Sequence, residues 1–402
     1  MNDTMIPVEE AQKLILYHTE ALDRDEIDLF SSSGYVLADD LFSDIDIPPF
    51  DKAAMDGYAV RRADCGSRPS TLKVRMNLAA GTYTDKEIGT GECAKIMTGA
   101  PVPPGADAVL MVEETKLHEN GTVVLLGEIK EGQHICRKGE DIEKGKLVLK
   151  AGTKIGAPEV AILASVGRAT VPVYRKPRVA ILSTGNEIVE PHETPRVGTI
   201  RNSNGPMLVS MARGLGCETQ YLGIAEDTES ELQEKIASGM KSDVLLLSGG
   251  VSMGEYDLVP DALSRSGART IFHRVFVKPG KPLLFAKRNR TAVFGVPGNP
   301  VSNFTTFHLF IKPALKKLMG DPDHGMKIVD AIAEIDFENR SERVHVIPSR
   351  YSCKGSGIYV TPFKLNGSAD IVGCTGANCL SVLEAGRKYI TRGDTVKILF
   401  LQ

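Results

Sequence analysis

The fold is decided by one stretch, residues 243–261, which reads DVLLLSGGVSMGEYDLVPD. Residues 244–247 form an unbroken apolar run, which is typical of a central parallel strand buried on both faces. The turn Ser248-Gly249-Gly250-Val251-Ser252 follows, and its backbone N–H groups can bind a phosphate because two of its residues lack a side chain. The pattern predicts a strand, an anion-binding turn and a helix.

Two carboxylates stand just after this turn. Glu255 and Asp257 lie at the predicted helix start, where carboxylates either cap the helix or hold a divalent cation beside a bound phosphate. Capping is the simpler interpretation, and a glycine pair after a strand often serves only to turn the chain. Whether these carboxylates cap the helix or bind a cation depends on which other polar residues lie at the same end of the strand.

The composition describes a folded protein of several domains. A chain of 402 residues exceeds one ordinary hydrophobic core. Hydrophobic residues at 42% and charged residues at 25% exclude a disordered chain. The apolar runs are far shorter than the roughly 20 residues of a membrane helix, and the acidic amino terminus lacks the features of a signal peptide. We therefore expect a cytoplasmic protein that does not enter a membrane.

Charge and metal-binding residues narrow the function further. The formal net charge of −3 argues against a nucleic-acid partner, so local positive groups would have to bind an anionic ligand. The seven cysteines are scattered, without the spacing of a zinc ribbon or a thioredoxin motif, and the eight histidines are equally dispersed. We expect reduced, mostly buried thiols, and a catalytic zinc site is disfavoured.

The amino-terminal part combines helices with a β domain. Residues 7–22 begin with Pro and two Glu and repeat apolar residues at helical spacing, which predicts a helix, and a short helix is expected within 34–50. Residues 70–135 contain short β segments and an Asn-Gly hairpin step, which predicts a small β domain. Because the segment after 135 again mixes a helix with short strands, we expect it to pack with the first segment and to leave the β domain as an insertion.

Two loops of the β domain carry weaker signals. Asp51 and Asp56 lie near a turn and are interpreted as solvated loop acids, with binding of a cation as the less favoured alternative. Thr98 stands at the mouth of a long Pro/Gly loop, which either forms a rigid connection or presents the threonine hydroxyl to a ligand. These loops alone do not decide a function.

Alternation of strands and helices begins at residue 178 and predicts an α/β domain with a largely parallel sheet. Ligands bind such sheets at the carboxyl ends of the strands. Five polar motifs are expected at those ends, and their shared edge favours a phosphorylated ligand with a divalent cation over five unrelated loops. The motifs are Ser183-Thr184-Gly185-Asn186-Glu187, Glu226-Asp227, Ser248-Gly249-Gly250 with Asp257, Lys278-Pro279-Gly280-Lys281-Pro282, and Gly295-Val296-Pro297-Gly298-Asn299-Pro300.

Each motif also has an ordinary explanation when it is taken alone. Pro297 and Pro300 can simply shape a turn, and Glu187 can simply cap a helix.

The last block, 327–402, shows short apolar segments between glycine turns, which predicts a small β-barrel or sheet. Its polar loop Asn366-Gly367-Ser368-Ala369-Asp370 is interpreted as a hairpin loop in preference to a ligand site.

Eight stretches between 48 and 304 resemble, in family order, the MoeA family of molybdopterin molybdenumtransferases, whose eukaryotic relatives include the gephyrin E domain and a plant E domain. The stretches are PPFDKAAMDGYAV, KIMTGAPVPPGADAV, RKGEDI, ILSTGNEIV, RNSNGPML, LLLSGGVSMGEYD, VKPGKPLLFA and GVPGNPVSNF. The resemblance implies an elongated homodimer that acts on adenylylated molybdopterin and molybdate with Mg²⁺ and releases AMP and molybdenum cofactor. Molybdopterin adenylyltransferase and apo-molybdoenzymes would be transient partners, and tungstate stays open as an alternative oxyanion.

The resemblance also implies a division into four domains. A discontinuous linking domain would comprise 1–47 and 142–172, and an inserted β domain would comprise 48–141. An α/β domain similar to the molybdopterin adenylyltransferases would span 173–324, and a C-terminal β-barrel would span 325–402.

The same resemblance assigns the metal and pyrophosphate sites. Glu187, Asp227 and Asp257 are expected to hold Mg²⁺. The pyrophosphate is expected at the 248–252 turn, with Lys278 or Lys281 beside it.

Further residues would bind molybdate or complete the site. Molybdate is expected against Arg274, Lys278 and the turn Pro297-Gly298-Asn299-Pro300. Where some relatives carry lysine, Arg274 presents a planar fork instead of a point charge. Asp56, Thr98 and Asp141 would complete the active site from the linking and β domains, across the dimer.

Two other functions stay open at this point. A molybdopterin adenylyltransferase shares the glycine-turn fold but does not require the AMDGYA, MTGAPVPPGAD and C-terminal segments. A non-catalytic cofactor carrier or scaffold would tolerate loss of the acids, so the presence of Glu187, Asp227 and Asp257 together argues against it. The sequence favours the transferase.

Overall fold

The computed structural model describes residues 5–66, 69–250 and 258–401. These residues form two compact units. The small unit consists of Asp39–Ala151 and Ala157–Thr170, and the large unit consists of the described parts of Met1–Ala38, Gly152–Gly156 and Val171–Gln402. The more detailed division into four domains stays a prediction.

The large unit begins with a helix and a short strand. Helix α1 (Val8–Tyr17) is shorter than the predicted 7–22 segment, and it buries Val8, Ala11 and Ile15. Strand β1 (Arg24–Asp28) follows. The short helix expected within 34–50 is wrong: the backbone N–H groups of Leu37 and Ala38 donate to the carbonyls of Thr153 and Pro172, so this segment pairs with neighbouring chain in an extended form.

The small unit is built on a six-stranded sheet with the order β7-β4-β6-β5-β9-β8, which confirms the predicted β domain. Gly57 in β4 is required by packing, since a Cβ there would lie 1.9 Å from the Leu110 carbonyl oxygen. The elements of this unit, including two short two-stranded sheets, are β2 (Leu41–Phe42), β3 (Lys52–Ala53), β4 (Gly57–Val60), β5 (Ser70–Leu78), β6 (Glu92–Ile96), β7 (Ala108–Met111), β8 (Thr115–Leu117), β9 (Thr122–Leu125), β10 (Ile135–Cys136), β11 (Leu147–Leu149) and α2 (Ala157–Ser165).

The α/β part of the large unit alternates strands and helices as predicted. A π-helical turn, Phe307–Ile311, joins its last two helices. The elements are β12 (Thr170–Tyr174), β13 (Arg178–Thr184), β14 (Ile188–Val189), β15 (Ile200–Arg201), α3 (Asn204–Gly214), β16 (Glu218–Ala225), α4 (Glu229–Gly239), β17 (Val244–Ser248), α5 (Val259–Arg265), β18 (Arg269–Phe272), β19 (Val277–Lys278), β20 (Leu284–Arg288), β21 (Thr291–Val296), α6 (Pro300–Thr306) and α7 (Lys312–Leu318).

The main sheet has the strand order β16-β13-β17-β21-β20-β18. Strands β16, β13, β17 and β21 are mutually parallel; β20 is antiparallel to β21, and the edge strand β18 is antiparallel to β20. Successive side chains of a strand point to opposite faces, and in β17 Val244 and Leu246 belong to one hydrophobic core while Leu245 and Leu247 belong to the other. Burial on both faces explains why this strand reads as a continuous apolar run.

The carboxyl-terminal part forms the predicted closed β structure. Its strands are β22 (Ile328–Ala333), β23 (Phe337–Glu338), β24 (Val344–Lys354), β25 (Gly357–Pro362), β26 (Cys379–Leu383), β27 (Tyr389–Ile390) and β28 (Thr395–Phe400). The sheet follows the order β24-β25-β22-β28-β26 and closes because β26 also pairs with β24. Strand β19 joins the outer side of β24, so this barrel includes a strand that comes from within the α/β segment.

The cysteines and the helix lengths can be compared with the expectations from the sequence. All seven cysteines are free thiols, and four of them are buried. Across the described ranges, we find no helix whose length and hydropathy suit a membrane span.

A partly buried ion pair joins the start of β17 to the chain around β13. The Arg175 guanidinium donates to both carboxylate oxygens of Asp243 at 2.7 and 2.6 Å, and the Arg178 backbone N–H donates to the same carboxylate at 2.8 Å. Burial by itself raises the pKa of Asp243, but the guanidinium and the backbone N–H together hold that pKa below its ordinary value. This pair therefore stabilises the fold above the unfolded-state pKa of aspartate and loses that effect as the pH falls.

We expect Asp243→Ala to lower the free energy of unfolding by about 3 kcal/mol, because it leaves a shielded guanidinium and an N–H group without their partner. The matched control is Asp23→Ala, which removes an ion pair to Arg290 whose two side chains are 63% and 66% exposed. Exposed pairs contribute under about 1 kcal/mol. Urea denaturation at neutral pH measures both changes, and equal effects in the two variants would contradict the structural role of Asp243.

Candidate active site

Four of the five polar motifs lie together at the carboxyl ends of adjacent parallel strands. They follow β13, β16, β17 and β21, which are neighbours in the main sheet. The fifth motif was placed wrongly: Lys278 ends β19, which pairs with β24 of the carboxyl-terminal barrel. It reaches the site from the barrel side because the chain leaves the main sheet after β18 and returns to it only at β20.

The glycine turn after β17 is held against the end of β13. Gly249 and Gly250 adopt φ angles of +94° and +61°, which favour glycine. A Cβ on Gly249 would lie 2.4 Å from the Thr184 carbonyl oxygen, and one on Gly250 would lie 2.8 Å from Thr184 Oγ1. The Gly249 N–H donates to the Val296 carbonyl, whereas the Gly250 N–H has no hydrogen-bond partner among the residues that the structure describes. Ser252 and Asp257 lie outside the described residues.

Helix side chains fix the two glycine turns. Asn303 donates through Nδ2 to Ser248 Oγ at 2.9 Å, and Asn204 donates through Nδ2 to the Gly298 carbonyl at 2.6 Å. Three buried oxygens at this edge, Thr184 Oγ1, Asn204 Oδ1 and Asn303 Oδ1, have no hydrogen-bond partner within the described parts of the chain. Unpaired buried polar atoms are rare, and their concentration here marks a functional site.

Glu187 and Asp227 lie at two neighbouring strand ends. Both are exposed, and the Asp227 backbone N–H donates to Asn186 Oδ1 at 3.1 Å. A cavity of about 610 Å³ lies beside them and is lined largely by polar residues that include Asn186, Glu190 and Glu226. Between residues 5 and 401, leaving out the two gaps, no group of three potential metal ligands occurs. The described chain thus supplies two of the three predicted metal ligands.

A second cavity, of about 660 Å³, lies between the main sheet and the barrel. We call it the oxyanion cavity. Lysine and arginine side chains predominate among its charged residues, and prolines and two phenylalanines form its apolar walls. The polar and charged side chains used below are Lys278, Lys281, Asn299, Arg343, His345 and Ser368, with Glu338 and Lys364 further along the wall.

Strand pairing and loop contacts position these side chains. Lys278 of β19 stands directly opposite His345 of β24, so the two side chains share a face of the sheet. The Arg343 guanidinium donates to the Val277 carbonyl at 2.9 Å. On the other wall, Asn299 donates through Nδ2 to Ser368 Oγ at 2.8 Å. The cavity is therefore built from both parts of the large unit.

The oxyanion cavity holds cations without their usual partners. Within the described chain, neither Lys278 nor Lys281 forms a hydrogen bond or ion pair through its ammonium group. Among the described residues of the wall, the one carboxylate is that of Glu338, and it is paired with Arg340 at 2.7 Å. An uncompensated positive cavity with apolar walls suits an anionic ligand that carries a flat apolar portion.

The remaining predicted binding residues are placed as follows. Pro297 and Asn299 line the oxyanion cavity, whereas Gly298 and Pro300 lie beside it in the same turn. Pro300 begins helix α6. The described lining does not include Arg274, whose backbone carbonyl accepts a hydrogen bond from Ile6.

Sequence reasoning missed two cavity residues and undervalued a third. Arg343 and His345 lie at the start of a long β-strand, where nothing in their spacing marks a ligand site. Ser368 belongs to the loop that was interpreted as a simple hairpin. Arg343 and His345 were missed for the same reason, because they reach the cavity only when β24 pairs with β19.

In the small unit, Asp56 and Thr98 are brought together. The Asp56 carboxylate accepts hydrogen bonds from the Thr98 backbone N–H at 2.6 Å and from its hydroxyl at 2.7 Å. These two bonds lower the pKa of Asp56. Asp141 is exposed in a nearby part of the same unit, and its backbone N–H donates to the Ile47 carbonyl at 3.0 Å.

The parallel sheet with its glycine turn, the inserted β unit and the closed carboxyl-terminal barrel define a multidomain protein of the molybdopterin-binding class. Three family profiles match the chain in order. They are described as MoeA N-terminal region (domain I and II) at residues 6–167, probable molybdopterin binding domain at 180–317, and MoeA C-terminal region (domain IV) at 330–401.

Individual relatives agree with these profiles. A molybdopterin molybdenumtransferase of Staphylococcus aureus (strain Mu50) is 34% identical, and the alignment covers 99% of this chain and 96% of the relative. One from Staphylococcus epidermidis is 32% identical with the same coverage. The crystal structure of a molybdopterin biosynthesis MoeA protein from Pyrococcus horikoshii is 32% identical, with a TM-score of 0.83 over 99% of this chain and 100% of that one. The chain belongs to the molybdopterin molybdenumtransferase (MoeA) family, as its sequence motifs indicated.

We expect Gly249→Ala to destabilise the protein more than Gly393→Ala. Both glycines have a φ of +94°, but only the Cβ at 249 meets another atom within 4 Å, the Thr184 carbonyl oxygen at 2.4 Å. The strained φ costs about 1–3 kcal/mol in each variant, and the clash adds about 1–3 kcal/mol at position 249. Urea denaturation measures the difference. Equal losses would show that the turn is free to move away from β13.

Proposed function

We propose that this protein transfers molybdenum from molybdate to adenylylated molybdopterin and releases AMP, in the last part of molybdenum cofactor biosynthesis. The observation that carries the proposal is the oxyanion cavity, because it adjoins the carboxyl ends of the parallel strands and concentrates unpaired cations. Membership of the family supports the reaction. The barrel supplies Arg343 and Ser368 to the cavity, which disfavours a plain adenylyltransferase.

Molybdate is a tetrahedral dianion, and we place it among Lys278, Lys281 and Arg343. Two ammonium groups without internal partners can each donate to an oxygen of the anion, and the guanidinium is already oriented by the Val277 carbonyl. Ser368 accepts the hydrogen bond from Asn299, which leaves its hydroxyl proton free to donate to an anion. Arg343 and Ser368 are therefore held by hydrogen bonds before the dianion binds.

The pterin and the pyrophosphate would occupy the surfaces on either side. Phe337, Phe363 and Pro362 give the oxyanion cavity flat apolar walls on which a pterin ring can stack. Gly249 and Gly250 follow the carboxyl end of β17. We expect the pyrophosphate there, with the Gly250 N–H as a donor. The chain thereby holds the sulfur-bearing end of the pterin near molybdate and the adenylyl end near the glycine turn.

The Mg²⁺ of the proposed reaction fits the described donors. Mg²⁺ prefers oxygen ligands and is commonly held by one or two carboxylates together with substrate phosphates. Glu187 and Asp227 would hold it from neighbouring strand ends, and Asp257 stays a predicted third ligand outside the described residues. When bound, the ion would neutralise charge on the pyrophosphate during its cleavage.

Removing one cavity cation tests the oxyanion assignment. We expect Lys278→Ala to raise the molybdate concentration needed for half-maximal AMP release by about 10- to 100-fold, since a hydrogen bond to a charged group is lost. The matched control is Lys354→Ala. Lys354 is on the same strand as His345, but its ammonium group is paired with Glu334 outside the cavity. AMP release is followed with adenylylated molybdopterin, Mg²⁺ and increasing molybdate.

Three outcomes of this experiment separate the candidate functions. Molybdate-dependent AMP release by the wild type, with product that activates an apo-molybdoenzyme, supports the transferase. Tight pterin binding without turnover would instead indicate a carrier or scaffold. An unchanged molybdate dependence in Lys278→Ala would remove this lysine from the oxyanion site while leaving the reaction in place.

We also propose that the protein acts as a cytoplasmic homodimer, with Asp56, Thr98 and Asp141 completing the active site of the partner subunit. The Asp56–Thr98 pair supports this role because its bonding keeps a carboxylate ionised and oriented at an exposed position. Molybdopterin adenylyltransferase and apo-molybdoenzymes stay predicted as transient partners that deliver the substrate and receive the product.

Subunit mixing tests the shared site. At a molybdate concentration that half-saturates the wild type, Lys278→Ala is expected to be nearly inactive because its molybdate site is far from filled, and Asp56→Asn is expected to be nearly inactive as well. Random re-association of the two variants would restore about a quarter of the wild-type sites, because half of the dimers are mixed and one of their two sites is intact. Steady-state AMP release after dissociation and re-association measures this recovery. An absence of recovery in proven mixed dimers would place both residues in the site of one subunit.

A further inference from the structure

The position of His345 carries an inference that rests on the proposed function. His345 lines the oxyanion cavity and stands opposite Lys278 in the β19–β24 pairing. It is an imidazole beside the cationic side chains of Lys278 and Arg343, which only donate hydrogen bonds. Lysine and arginine cannot accept a proton or a hydrogen bond at neutral pH, so this histidine is chemically distinct from its neighbours.

Asn339 fixes which nitrogen of His345 carries the proton. The Asn339 amide is oriented by two backbone bonds: its Nδ2 donates to the Arg387 carbonyl at 2.9 Å, and its Oδ1 accepts from the Ser341 N–H at 3.0 Å. The same Oδ1 lies 2.8 Å from His345 Nδ1. Since Oδ1 is an acceptor, Nδ1 must be the donor, and in the neutral ring the lone pair is on Nε2.

Nε2 is the nitrogen that is left for the cavity. Asn339 is 1% exposed and does not line the cavity, so the Nδ1 edge of the ring faces the protein interior. In the described chain, Nε2 has no hydrogen-bond partner. It is not one of the buried polar atoms without a partner, so solvent reaches it. The opposite edge of the ring is therefore accessible.

The charges around the ring keep it neutral in the free protein. Burial, then the Lys278 ammonium across the strand pair and then the Arg343 guanidinium just before β24 lower the pKa of His345 to about 4. Lys281 and Lys364 add positive charge on the cavity wall, and the carboxylate of Glu338 is paired with Arg340. On β26, the residue opposite His345 is the apolar Leu383.

We propose that His345 exchanges protons with the bound substrates: Nε2 takes up a proton when a dianion fills the oxyanion cavity and then donates a hydrogen bond to that anion. Burial and the field of Lys278 and Arg343 oppose protonation of the ring; a bound dianion cancels that field, and its negative charge favours the protonated ring. The proton enters on anion binding and is held at one ring nitrogen, because Asn339 fixes the other.

The same proton serves the exchange of ligands on molybdenum. When the two thiols of molybdopterin replace one oxygen of molybdate, two Mo–S bonds form, one Mo–O bond breaks, and the two thiol protons leave with that oxygen as water. The net charge of the molybdenum complex stays at −2, and no further reactant is needed. His345 gives its proton to the departing oxygen and regains one from a thiol.

Calorimetric titration with molybdate in buffers of different ionisation enthalpy measures the proton uptake. For the wild type at neutral pH, we expect uptake of about half a proton per anion and an affinity that rises roughly tenfold from about pH 8 to about pH 6. In His345→Gln, both the uptake and the pH dependence should be lost. The matched control, His324→Gln, lies outside the oxyanion cavity and should behave like the wild type.

A second measurement on the unaltered protein removes any dependence on folding of the variant. In wild-type protein carrying ¹⁵N-labelled histidine, the Nε2 signal of His345 should move from an unprotonated to a protonated shift on addition of molybdate, while Nδ1 stays protonated. Unchanged Nε2, or equal proton uptake in wild type and His345→Gln, would overturn the inference. If wild-type AMP release does not depend on molybdate, the proposed function itself fails; if it does depend on molybdate and the histidine signals do not respond, only the role of His345 fails.

Discussion

The site depends on one short parallel pairing, in which Val277 and Lys278 of β19 lie against Val344 and His345 of β24. Through it the chain leaves the main sheet, adds a strand to the carboxyl-terminal barrel and returns as β20. The Arg343 bond to the Val277 carbonyl reinforces the same junction. Without this pairing, Lys278 would lie on a connecting loop away from Arg343 and His345.

The large unit contains charged side chains that pair with each other and charged side chains that are available to a ligand. At the opposite end of β17, Arg175 and Asp243 satisfy each other almost completely, and the pair serves the fold. In the oxyanion cavity, two lysines have no such partners among the described residues, so their ammonium groups are available to an anion. A formal net charge of −3 cannot supply that attraction, so the local placement of a few cations decides what the protein binds.

Much of the fold could be predicted because its causes are local. The continuous apolar run of 244–247 predicted a doubly buried strand, and the two glycines after it predicted a turn that admits no side chain. Alternation along the chain predicted the parallel sheet, which places four polar motifs at one edge. The predicted helix within 34–50 was wrong because its backbone groups bond to residues 153 and 172, and that choice is made by distant partners.

The sequence by itself determined the family, the α/β class and the identity of the glycine turn, because periodicity and residue type at fixed spacing act through the neighbouring chain. Only the tertiary structure decided that Lys278 belongs to the barrel side of the site and that Arg343 and His345 stand beside it. Their spacing along the chain does not indicate a shared site, since they meet through strand pairing between segments about 66 residues apart. Long-range pairing carries no local pattern, and the chemistry of this cavity arises from that pairing.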